Sequence, residues 1–137
     1  MGKKIRFSFE KVPTLDTIEE GLYKATKELL FAGVFSSMYL KDITEELSQS
    51  GAYMLVSKDT VLLHARPSKN VKESFVAYLY TDKPVTYYQR PIQHIFVFGG
   101  VDASNHQALL SLVARYISSH ETYDEDSLHQ YVKKYPL

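Results

Sequence analysis

Histidine is the side chain whose ordinary pKa, about 6.5, lets it act as nucleophile, base or proton donor near neutral pH. The sequence has five, and two of them stand where a regular element gives way to a loop. His64 closes the apolar run Thr60-Val61-Leu62-Leu63 and is followed by Ala65-Arg66-Pro67. His106 falls in the first turn of a predicted helix, just after Gly99-Gly100-Val101-Asp102. A helix N-terminus offers unpaired backbone N–H groups and the positive end of the helix dipole, which together attract an anion. The two glycines would let backbone approach a ligand closely. If the strand end bearing His64 abuts that turn, a neutral imidazole faces an anion cradle. That arrangement suits phosphoryl transfer to a ring nitrogen, with the other nitrogen oriented by a partner. Ser104 and Asn105, in the same turn, and Arg66 are candidate phosphate-binding groups. An isolated histidine is more often structural, so spacing alone leaves both readings open.

The other candidates are weaker. His94 sits inside a predicted strand and reads as a sheet residue, and His120 and His129 read as surface residues of a helix end and a polar helix face. His64, His106 and Asp102 lack the local spacing of a metal site, so no metal and no cofactor are expected. The chain has no Cys, which removes disulfides, thiolate nucleophiles and Cys-bound zinc. The 11 tyrosines are scattered without a basic surplus beside them, which favours packing over stacking on nucleic acid.

The elements that must position the histidines are legible in the pattern. Ile5–Phe9 alternates apolar and polar as an extended segment, and Pro13 breaks it. A helix is expected from an Asp16 cap with Glu19 three residues on, carrying Ile18, Leu22, Ala25 and Leu29 on one stripe and ending at Gly33. A second, capped by Ser36 or Ser37, carries Leu40, Ile43 and Leu47 and ends at Gly51. Short strands follow at Tyr53–Val56 and Thr60–Leu63 around a turn at Ser57-Lys58-Asp59. A longer strand covers Ser74–Tyr80, with Asp82-Lys83-Pro84 turning the chain, and another covers Ile92–Phe98. Two helices close the order, one from near Ser104 through Ile117 and one from about Asp124 with Leu128, Tyr131 and Val132. This order implies an α/β fold with a central mixed β-sheet flanked by helices on both sides. Ligand sites in such folds lie beyond the carboxyl ends of strands, and the crossover from Ile92–Phe98 into the 104–119 helix is of the kind that frames one.

The length of 137 residues fits one domain, and equal numbers of acidic and basic residues disfavour a strongly electrostatic partner such as nucleic acid or an anionic membrane. No apolar run approaches the roughly 20 residues that span a bilayer, and the charged start lacks the apolar stretch of a secretory signal. The expected location is the cytoplasm.

The segment Gly51-Ala52-Tyr53-Met54-Leu55-Val56 through Leu62-Leu63-His64-Ala65-Arg66-Pro67 resembles the phosphorylation segment of enzyme IIA domains of the bacterial sugar phosphotransferase system, mannitol/fructose/ascorbate type. The downstream Val101-Asp102-Ala103-Ser104-Asn105-His106 and its leucine-rich helix, and the opening Asp16–Leu22, also resemble that family, so the likeness runs from about Thr14 to His120. It differs in Leu63, where the family has Pro before the histidine, in Lys58-Asp59, where it has Pro-Gly, and in Ser48, where mannitol-type members carry Arg. The resemblance implies a mixed sheet flanked by helices, His64 as phosphoacceptor and His106 as second active-site histidine. It implies a histidine phosphocarrier protein as donor and a IIB cysteine as acceptor, on another chain or domain. A second implication is a IIA-like regulatory domain of a transcription activator or antiterminator, tuned by phosphorylation at His64. A third is an interaction module that is never phosphorylated. If a neutral His64 attacks, acceptance should fall as the solution is acidified through its pKa, and a flat profile across pH 5–8 would count against it.

Overall fold

A computed structural model describes residues 4–134. Its described elements run β1 (Arg6–Val12), α1 (Ile18–Phe31), α2 (Ser37–Ser50), a short 3-10 turn (Gly51–Met54), β2 (Leu55–Ser57), β3 (Thr60–Leu63), β4 (Phe75–Tyr87), β5 (Arg90–Gly99), α3 (Ala103–Ser119) and α4 (Glu125–Lys133). The strands form one sheet in the order β1-β4-β5-β3-β2. β1 runs parallel to β4 and β3 parallel to β5, while β4–β5 and β2–β3 are antiparallel. The sheet is mixed, and helices cover both faces, as the pattern implied.

The two faces follow from period two. Along β4, Phe75, Ala77 and Leu79 join one core and Val76 and Tyr78 the other. Along β5, Ile95 and Val97 go with the first set, Phe96 and Phe98 with the second. The first core is closed by the apolar stripes of α1 and α2, the second by those of α3 and α4. Ile18, Leu22, Ala25 and Leu29 are the buried stripe of α1, and Gly33 ends it with φ +78, the left-handed conformation that suits glycine.

Several boundaries differ from the sequence reading. The first helix is capped one residue later, by Thr17, whose hydroxyl accepts from Glu20 N at 3.0 Å, while the Glu20 carboxylate accepts from Asp16 N at 2.6 Å. Thr17 is β-branched and holds the extended backbone (φ −142, ψ 164) that a cap needs. Tyr53 and Met54 lie in the 3-10 turn instead of a buried strand, and Tyr53 is 89% exposed. The chain does not turn at Asp82-Lys83-Pro84. β4 runs on to Tyr87, with an irregular register between Tyr80 and Val85. Proline can stay in a strand where a break in the ladder asks no donor of it. The true hairpin turn is Tyr88-Gln89, with φ 49 and 63.

Candidate active site

Strand parity places the first histidine. Val61 and Leu63 face the α1/α2 core and Leu62 faces the α3/α4 core. His64, two residues beyond Leu62, continues on that second face. In the parallel β3–β5 ladder Leu62 stands opposite Phe96, so Phe98 arrives beside His64. The two rings stack with centroids 4.9 Å apart and planes inclined by 22°.

The second histidine is delivered by α3. Asp102 caps that helix, its carboxylate accepting from Asn105 N at 2.8 Å and its carbonyl from His106 N at 2.9 Å. A Cβ on Gly100 would stand 2.5 Å from His106 N, so only glycine lets the helix start close on the end of β5. Gly99 likewise leaves room for the rings of Phe75 and Tyr39. The glycine pair therefore admits neighbouring parts of the protein, a correction to the expectation that it admits ligand. The His106 ring lies 5.5 Å from that of His64, inclined by 66°, and 5.1 Å from Phe98.

His64, His106 and Arg66 line one cleft of about 240 Å3, together with Glu46, Ser50 and Tyr53. Arg66 is exposed and has no ion pair among the described residues. The structure does not bring the other two predicted phosphate ligands to this cleft. Asn105 points its side-chain amide at Asp102 Oδ1, 2.7 Å away, and lines a separate hollow with Lys4, Lys72 and Ser74. Ser104 is exposed on the outer side of the first turn and does not line the cleft. The expected amide cradle is also narrower than expected, because Asp102 itself takes the N–H groups of Asn105 and His106.

Burial governs the electrostatics. It lowers His64 from 6.5 to about 4, with the neighbouring His106 adding to the effect. Burial lowers His106 as well. Both rings are thus neutral at physiological pH, the state a nucleophilic imidazole needs. Neither ring nitrogen of His64 is hydrogen-bonded among the described residues, so its orientation comes from the Phe98 and His106 rings and not from the bonding partner expected. His106 Nδ1 is buried without a hydrogen-bond partner among the described residues. Leaving such a group unpaired costs about 1–3 kcal/mol.

Of the remaining histidines, His94 is the sheet residue expected, while His120 and His129, expected at the surface, are partly buried against aromatic rings. His94 sits in β5, 2.7 Å from the Tyr78 hydroxyl, His120 stacks on Tyr116, and His129 stacks on Phe7. Among the described residues no cluster of His, Cys, Asp or Glu could hold a metal ion, and no helix is long and apolar enough to cross a membrane. Two contributors to the site escaped the sequence reading. Phe98 was legible in principle from strand parity. Tyr39, whose hydroxyl reaches both strand ends beside His64, carried no signal beyond its place on an amphipathic helix.

The fold and cleft define an α/β sandwich that faces two neutral histidines with an arginine across the end of a parallel strand pair. The family model for "Phosphoenolpyruvate-dependent sugar phosphotransferase system, EIIA 2" matches residues 8–126, and the chain belongs to that family. Solved structures agree at the level of fold. The mannitol-specific cryptic phosphotransferase enzyme IIA CmtB of Escherichia coli is 19% identical, with TM-score 0.73 and 93% of each chain covered. The PTS IIA(PtxA) of Streptococcus mutans is 15% identical, with TM-score 0.76, over 93% of this chain and 87% of that one. A complex of enzyme IIA-mannitol with phosphorylated enzyme IIB-mannitol of Escherichia coli matches at 10% identity and TM-score 0.71, over 93% and 95%. No curated protein matches the sequence.

Proposed function

We propose that the chain is a histidine phosphocarrier of the sugar phosphotransferase system, working in the cytoplasm. His64 takes a phosphoryl group from the histidine phosphocarrier protein and passes it to a cysteine of a IIB component. The lone pair of the neutral His64 ring forms the new N–P bond as the donor's N–P bond breaks. A IIB cysteine thiolate later forms an S–P bond as the His64 N–P bond breaks, which returns the ring to its neutral state. His106 and Arg66, which line the cleft with His64, hold the phosphoryl oxygens. The observation that carries the reading is the apposition of the two neutral histidine rings, 5.5 Å apart, in one cleft with Arg66. Family membership supports it, and the similar IIA-mannitol solved with phosphorylated IIB suggests the acceptor.

The test is incubation with enzyme I, the phosphocarrier and labelled phosphoenolpyruvate. Wild type takes up label, His64→Ala takes up none, and His106→Ala labels more slowly or holds the label less long. Label retained by His64→Ala would move the acceptor to another residue. Label that enters His64 but passes to no IIB cysteine would leave the regulatory role in place of transport.

A further inference from the structure

The β3–β5 ladder ends at the pair Leu63–Val97, one residue before His64. Beyond that pair the strands part, and a hydroxyl stands between them. Tyr39, fully buried on α2, accepts from Ala65 N at 3.2 Å and donates to Phe98 O at 2.9 Å, with Ala65 O at 3.3 Å. Its ring is fixed by edge contacts with Phe35 and Phe75 and by the space that Gly99 leaves. Ala65 follows His64 directly, and Phe98 is the residue whose ring stacks on His64. A single hydroxyl therefore takes the place of the next rung of the ladder. It holds the two strand ends apart at the width that seats the imidazole beside Phe98.

We propose that Tyr39 is a positioning residue for His64, acting through the backbone of Ala65 and Phe98 on the angle and depth at which the imidazole meets the phosphoryl group. The proposal rests on the phosphocarrier reading for its activity readout and on geometry for everything else. Without the hydroxyl, Ala65 N–H and Phe98 C=O lose their shared partner inside the protein. The strand ends then either close on each other or admit water, and in both cases the ring leaves its place. Small misplacements of a reacting group are expensive in rate even where binding is untouched. Tyr39 is fully buried and offers a donor protein no surface to touch, so the half-saturating concentration should be unaffected.

The experiment compares wild type, Tyr39→Phe and Tyr116→Phe. Tyr116 is also fully buried and its hydroxyl is bonded to Ser127 Oγ at 2.6 Å, but it lies toward the far end of α3. Two quantities are read on each folded variant: the rate of label uptake against phosphocarrier concentration, and the NMR titration of the His64 ring. Tyr39→Phe should lower the maximal rate by about tenfold or more, with the half-saturating concentration little changed. It should also move the His64 titration upward, toward the ordinary histidine value, as water reaches the ring. Tyr116→Phe should change neither, whatever it does to stability. Wild-type uptake and an unmoved His64 titration in Tyr39→Phe would overturn the proposal, and so would equal effects from both variants. If wild type itself takes no label, the phosphocarrier reading falls, and the His64 titration alone decides for or against Tyr39.

Discussion

At the scale of the residue, the decisive property is that His64 is neutral where an ordinary histidine would be titrating. With its pKa at about 4, the ring proposed as nucleophile is unprotonated throughout pH 6–8. The single-turnover rate of acceptance should therefore be flat over that range and fall only as pH approaches 4, measured by rapid quench with labelled phosphocarrier. This moves the expected fall out of the pH 5–8 window that an unperturbed imidazole would set. Stability follows the same shift. The folded pKa lies below the unfolded value, so the unfolded chain binds the proton first on acidification. The contribution is intact above pH 6.5, fades as pH drops toward 4, and amounts to at most about 3 kcal/mol. Urea midpoints recorded from pH 7 to pH 4 should decline less steeply in His64→Gln than in wild type. The residue types at the site were legible in the sequence, because His64 and His106 stand at element ends. What held them was not. Parity sets the face that Phe98 occupies, but its register beside His64 and the bond network of Tyr39 depend on contacts between segments 26 to 59 residues apart, which no local pattern encodes. Asn105 misled for a local reason: at the third helical position its amide was already claimed by Asp102.

At the scale of the element, apolar periodicity recovered the four described helices, because each buries one stripe, and the continuous apolar run Thr60–Leu63 marked the strand that presents His64, which is buried on both faces. Boundaries failed where two local rules competed. Asp16/Glu19 and Thr17/Glu20 both satisfy the spacing of a capping box, and the extended backbone of Thr17 decides between them. Thr17→Ala should lower stability by about 1 kcal/mol, read from the urea midpoint. Asp82-Lys83-Pro84 carries turn-forming residues, yet the strand passes through them at an irregular register and reverses at Tyr88-Gln89. That two-residue turn has both residues at positive φ, a geometry that prefers Asn-Gly. Replacing Tyr88→Asn and Gln89→Gly together should stabilise the protein by about 1 kcal/mol by the same measurement. Gly100→Ala should act differently. It pushes the start of α3 away from β5, separates His106 from His64, and slows label uptake more than its effect on stability would suggest.

At the scale of the whole molecule, one sheet serves two cores, and the same strands supply both. Leu79→Ala on the α1/α2 side should cost about 2–5 kcal/mol and Phe96→Ala on the α3/α4 side about 3–5 kcal/mol. Because β4 and β5 line both cores, we expect each variant to unfold in one transition, with far-ultraviolet and near-ultraviolet circular dichroism coincident. Two separate transitions would mean that the layers fail independently. The mixed topology has a further outcome. The strands bearing His64 and Phe98 are parallel neighbours, joined through β4 and a long excursion, while Tyr39 and His106 come from opposite layers. No contiguous fragment short of residues 39–106 contains all four. If the chain is the phosphocarrier proposed above, label uptake during refolding should therefore appear only after both helical layers have packed on the sheet, and the appearance of acid-labile radioactivity would time that event.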